Sequence, residues 1–276
     1  MCIFQKNNFF ILLICVAITA CNQKASEQFS VPNTAILKQR ILPPEGFKRA
    51  TQPRDSWGEF LENLPLQPEG SEVIQYNGVP ISNQNSHIAI INYDVGKRNL
   101  QQCADAVLRL RAEYLWKTDR KAEIEFKFTS GHNFKWLDYA QGVRPIVSGN
   151  KVKFKKTASE NHSYQSFRKY LDIIFMYAGT ISVERDLKTV NRAQGNYQIG
   201  DVIVKGGSPG HAVIIVDRAK NSQGKFVYLL AQSYMPAQSI HVMDQGGTYG
   251  PWFDIPTEGA FHSSRWYFTN PKIRRF

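Results

Sequence analysis

Three residues far apart in the chain have the types that thiol chemistry needs. Cys103 stands in "NLQQCADAVLRLRAEYLW", His211 opens the apolar run of "GDVIVKGGSPGHAVIIVDRA", and Gln232 lies in "KFVYLLAQS". A thiolate attacks a carbonyl carbon, an imidazole takes and returns the proton, and an amide on the second ring nitrogen fixes the tautomer. Gln101 and Gln102, just before the cysteine, are candidates to join its backbone amide in stabilising the oxyanion. Each residue also has a structural reading. Cys103 on an apolar stripe suits a core, His211 after Pro209-Gly210 suits a turn, and Gln232 suits a buried backbone group.

Positioning these residues requires a helix and a hairpin. Leu100, Cys103, Val107, Leu110 and Tyr114 recur at spacings of three and four, which predicts a helix with Cys103 on its buried stripe. Asn99 as N-cap and Gln102 three residues on match a capping box. So close to a helix start, with a cationic partner, a thiol is expected to fall from ~8.5 into the range of ~3.5 to 7.5. Val202 to Val204 and Ala212 to Val216 read as strands around a tight glycine-proline connection. If Asn221-Ser222-Gln223-Gly224 forms the next turn, Lys220 faces Lys225, Gln232 faces Val213, and Gln232 is a diagonal neighbour of His211. A two-residue shift puts it directly opposite, and either register leaves both on one sheet face. Elsewhere, Ile88 to Ile91 and Val73 to Tyr76 read as strands, Trp57 to Leu64 as a short helix, and Ser163 to Ala178 as an amphipathic helix. His132 and His162 adjoin no nucleophile, and His241 and His262 show no clustered partners. With no HExxH among six histidines, neither a metal site nor a cofactor is expected.

The N-terminus sets the compartment. Residues 1–20 pair the single charge of Lys6 with an apolar run from Phe9 to Ala17, too short for a membrane span of ~20 residues. The Ile-Thr-Ala-Cys ending resembles a bacterial lipobox, which implies cleavage before Cys21 and its acylation as a lipid anchor. Asn22, in place of aspartate, implies transport to the outer membrane. Residues 21–38 then read as a tether and 39–276 as one globular domain, with an insertion at about 117–197. Removal of Cys2 and Cys15 and acylation of Cys21 leave Cys103 alone, so no disulfide framework forms. The chain carries +11, with 42% hydrophobic and 12% aromatic residues, enough for a sizeable core. Export argues against nucleic acid as the partner of this charge. Cell-wall polymer or anionic headgroups are the alternatives, beside simple solubility.

The order cysteine on a helix, histidine at a strand start and polar residue on the next strand resembles the papain-like cell-wall peptidases and amidases of the NlpC and CHAP types. The resemblance covers residues 86–116 and 198–235. It implies an α+β fold, a helix packed on an antiparallel sheet with an inserted helical elaboration, and cysteine hydrolase chemistry on wall peptide or amide bonds. Those families place aspartate before and serine-glycine after the nucleophile, whereas here Gln102 precedes and Ala104-Asp105 follow. The segments "QQCADA", "PGHAVIIVD" and "AQSYMPAQ" are closer to an uncharacterised lipoprotein family of Bacteroidota, which implies the anchor but no activity. The rival expectation is a non-catalytic envelope lipoprotein that binds glycan or peptide in the same cleft, with Trp136, Trp252 and Tyr249 able to stack on sugars.

Overall fold

The computed structural model describes residue 1 and residues 35–276. The signal segment, Cys21 and the tether as far as residue 34 lie outside the described residues. The domain opens with α1 (Leu37–Arg40), β1 (Phe47–Arg49) and α2 (Trp57–Glu62). The Ser56 hydroxyl caps α2 by accepting from the Glu59 amide at 3.1 Å, which satisfies one of the unpaired N–H groups of a helix start. The strand expected at Val73 to Tyr76 is not formed. Gly78, at φ +84, turns the chain, and Pro80 has no N–H to extend a ladder. Only isolated bridges result, Ile74 with Pro80 and Gln75 with Gln238.

Next come β2 (His87–Ile90) and α3 (Cys103–Lys117). Residues 117–197 hold a two-stranded sheet of β3 (Glu125–Lys127) and β4 (Asn133–Lys135), then α4 (Trp136–Ala140). A hairpin of β5 (Val143–Ser148) and β6 (Lys151–Lys156) follows, with α5 (Tyr164–Tyr177), α6 (Thr180–Asp186) and β7 (Lys188–Val190). This segment is not wholly an elaboration, because β7 joins the main sheet. That sheet is completed by β8 (Val202–Lys205), β9 (His211–Asn221), β10 (Phe226–Gln232) and β11 (His241–Met243). A small hairpin, β12 (Phe261–Ser263) with β13 (Trp266–Phe268), precedes the last strand, β14 (Lys272–Arg275). The order across the sheet is β2-β11-β10-β9-β8-β14-β7, with β1 paired to the far end of β9. Every pairing in it is antiparallel.

Both faces of this sheet are covered, which is why β9 and β10 read as continuous apolar runs. On one face Ala212, Ile214, Val216, Leu229 and Ala231 join a core with Val107 and Leu110 of α3. On the other, Val213, Ile215, Tyr228 and Leu230 pack with Phe253, Phe261 and Phe268. Burying a side chain such as Leu110, which is fully enclosed, contributes about 1.5–3 kcal/mol. The α3 stripe therefore fixes the helix on β9, and with it the position of the helix start.

Candidate active site

The hairpin delivers the amide to the histidine. Near its turn the pairing is shifted by one residue from that of a four-residue turn, with Phe226 rather than Lys225 opposite Lys220. A bulge at Leu229/Leu230 then restores the expected register, leaving Leu230 opposite Ile215 and Ala231 opposite Ile214. The extra residue on β9 is Val216. Gln232 thus reaches His211 diagonally, and its Oε1 accepts from His211 Nε2 at 2.7 Å. Gln232 Nε2 lies 3.3 Å from His241 Nε2, and His241 Nδ1 is 2.9 Å from the Ser239 carbonyl.

These contacts define a directed chain. The Ser239 carbonyl can only accept, so His241 carries its proton on Nδ1 and its Nε2 accepts from the Gln232 amide. Gln232 must then present oxygen to His211, which carries its proton on Nε2. His211 Nδ1 is left as a bare acceptor, buried and without a hydrogen-bond partner. Read from sequence, His241 had no partner; pairing of β11 with β10 places it opposite Gln232. All three side chains are enclosed. Burial holds His211 near 4 and His241 near 3, below the usual imidazole value, with the positive charge of Arg265 pushing both the same way. Both rings are neutral at pH 7.

Cys103 is the first helical residue of α3. The N-cap is Gln102, not Asn99. The Asp105 carboxylate oxygen accepts from the Gln102 amide at 3.0 Å, while the Asn99 side chain accepts from the Ala237 amide at 2.7 Å. Asn99 thus ties the loop after β10 to the approach of α3. The helix packs on β9, and the amide of Ala212, next to His211, points at the Cys103 sulfur. The thiol thus meets β9 one residue from His211, which does not line the cleft that holds Cys103, and His211 Nδ1 makes no hydrogen bond to it. Burial pushes the thiol up to about 11, the Asp105 charge adds to this, and the amides of Ala212, Ala104 and Cys103 itself oppose it. The lowered thiol expected from the helix start is therefore reversed, because desolvation of a 5%-exposed sulfur outweighs the amide dipoles.

The two glutamines before Cys103 part company. Gln101 is buried and its Oε1 accepts from Arg109 Nη1 at 2.9 Å, which commits it to the ion network of α3. Gln102 donates to Asn99 Oδ1 at 3.2 Å and lines a cleft of about 240 Å³ with Cys103, Asp105, Thr180, Met235 and the Gly207–Gly210 backbone. Gly210 leaves no space for a side chain, since a Cβ would collide with the carbonyl oxygens of Gly207 and Lys205 and the Thr180 hydroxyl. Asp105 is buried, with one carboxyl oxygen unpartnered, and burial raises it well above the usual carboxylate range. A larger cavity of about 330 Å³, lined by Leu108, Arg111, Phe126, Val183 and Phe276 among others, contains no cysteine or histidine. Among the described residues no group of three or more His, Cys, Asp or Glu side chains is arranged to hold a metal ion. The side chains of His132 and His162 hydrogen-bond only locally, with Ser130 and Glu160. Trp136 and Trp252 are core residues, almost fully enclosed.

The chain belongs to a family described as a domain of unknown function (4846), whose model matches residues 37–275. No curated protein and no solved structure matches it.

Proposed function

We propose that the protein is an envelope lipoprotein with a papain-like cysteine hydrolase site, cleaving peptide or amide bonds of the cell wall. The observation that carries this reading is the His211–Gln232–His241 chain. It holds a neutral imidazole in one tautomer, with its free nitrogen unpartnered, at the strand end reached by the only cysteine among the described residues.

With the thiol near 11 and the imidazole near 4, no ion pair exists at rest. Proton transfer therefore accompanies attack rather than preceding it. Cys103 Sγ bonds to the carbonyl carbon as His211 Nδ1 takes the thiol proton, and the oxyanion is held by the Cys103 amide with the Gln102 side chain. The C–N bond breaks as His211 returns that proton to the leaving nitrogen. Water, deprotonated by His211, then hydrolyses the thioester, and the thiol recovers its proton. Gln232 keeps the ring oriented throughout. A hydrogen bond that is open without substrate can close in the complex.

Cys21 is the proposed lipid anchor. A palmitate analogue fed to cells should label the wild type and fail to label Cys21→Ala. The β5–β6 hairpin supports an anionic surface partner: Lys151, Lys153, Lys155 and Lys156 are all exposed, and none joins an ion pair among the described residues. To test the activity, purified full-length protein in detergent is incubated with cell-wall fragments and the released products are resolved by mass spectrometry. Wild type should release fragments and Cys103→Ala none, with equal co-sedimentation on the walls. If wild type releases nothing yet co-sediments as well as Cys103→Ala, the binding lipoprotein is the better reading.

A further inference from the structure

We propose that Arg265 is the docking point for a carboxylate-bearing group of the substrate beside His211. The proposal rests on the reading of Cys103 and His211 as a reacting pair. Arg265 lies in the turn between β12 and β13, after Ser264 at φ +51. Its guanidinium carbon stands 4.6 Å from the centroid of the Tyr234 ring. Tyr234 and Trp266 in turn each pack against the His211 ring with centroids 5.1 Å apart. The cation is thus held one aromatic ring away from the imidazole.

Among the described residues its charge has no carboxylate counterpart. Arg265 Nη1 is buried without a hydrogen-bond partner, whereas Arg49 pairs with Asp217, Arg109 with Glu113 and Arg275 with Asp201. A buried donor left unmade is costly, and a guanidinium presents a planar fork suited to a carboxylate. An anion docked there satisfies that donor. Burial is the larger cause of the low His211 value, and the docked anion screens the smaller contribution of the Arg265 charge, so the imidazole regains part of its basicity when such a substrate is in place. A neutral or cationic substrate gains neither effect.

The test compares alkylation of Cys103 by iodoacetate and iodoacetamide, which share size and leaving group but differ in charge. Full-length protein in detergent is used, and modification is read at Cys103 by peptide mass spectrometry. The ratio of iodoacetate to iodoacetamide rates should fall roughly threefold or more in Arg265→Gln and be largely kept in Arg265→Lys, as expected for the loss of one charge that attracts the anionic reagent in a partly wet site. In the wild type the same ratio should fall as salt rises, because the charge is then screened, which supplies a measurement independent of any variant. An unchanged ratio in Arg265→Gln, with iodoacetamide still labelling both proteins, would overturn this inference alone. Failure of iodoacetamide to label native Cys103, with labelling after denaturation, would overturn the reacting pair and the Arg265 proposal together.

Discussion

At the scale of single residues, the decisive feature is an amide with two imidazoles to satisfy. Gln232 is 1% exposed and uses its oxygen on His211 and its nitrogen on His241, so it cannot rotate without breaking both contacts. Replacing it by leucine leaves the His211 N–H and the His241 acceptor buried and unmet. With each unmade polar group worth ~1–3 kcal/mol, Gln232→Leu should lower unfolding stability by about 2–4 kcal/mol in urea titrations. Gln232→Ala leaves room that water can enter and should be milder. Its turnover on wall fragments should fall by less than that of Cys103→Ala or His211→Ala, because it acts only through the ring's orientation. A loss below about 0.5 kcal/mol in the leucine variant would mean that the amide is not fixed by the two rings.

At the scale of elements, α3 is held at its start by a buried cation as much as by its apolar stripe. Arg109 donates to Glu113 at 2.6 Å one turn along, to Gln101 Oε1, and to the carbonyl of Asp94. Tyr164 of α5 reaches the same Glu113 oxygen at 2.7 Å. Arg109→Ala should therefore cost about 3–5 kcal/mol, since it strands a buried carboxylate, and should loosen the loop that carries Gln101 and Gln102. Chemical denaturation with an amide-exchange readout over residues 94–103 would check both; undisturbed protection there would argue that packing alone positions the helix start. Elements of this kind were legible where local periodicity dominates. The α3 stripe, α5 and the β8–β9–β10 strands follow from spacing, and parity puts His211 and Gln232 on one sheet face, while the diagonal placement depends on the bulge at Leu229/Leu230. The cap was misplaced because Asn99 is recruited by the distant Ala237 amide. His241, Tyr234, Trp266 and Arg265 were not legible as neighbours of His211. They arrive through β11 and the β12–β13 hairpin, whose pairing has no local signature in the chain.

At the scale of the whole molecule, buried groups at the two ends of β9 pull the pH dependence of stability in opposite directions. At one end His211 and His241 are held near 4 and 3. At the other Glu62 and Asp217 are raised to about 7 and about 6, by burial first, with Arg49 opposing the rise in both. Between about 4 and 6.5 the unfolded chain binds more protons at the histidines than the folded one. Their contribution is therefore full above 6.5 and is lost as pH falls. The carboxyls behave oppositely, because the folded state binds more protons from about 4.5 to 7 for Glu62 and from about 3.8 to 6 for Asp217. Their contribution is full below the unfolded values and is lost as pH rises through the folded ones. In the shared window of roughly 4.5 to 6 the two effects offset one another. Glu62→Gln removes one opposing carboxyl, so its urea midpoint, taken relative to wild type, should drop steadily as pH is lowered from 7 to 4.5. His241→Gln removes one depressed imidazole and should show a relative midpoint that rises over the same descent. The difference has to carry these two signs; a Glu62→Gln midpoint parallel to wild type across the window would mean that this carboxyl titrates alike in the folded and unfolded chains, and that the β1 end of β9 does not balance the histidine end.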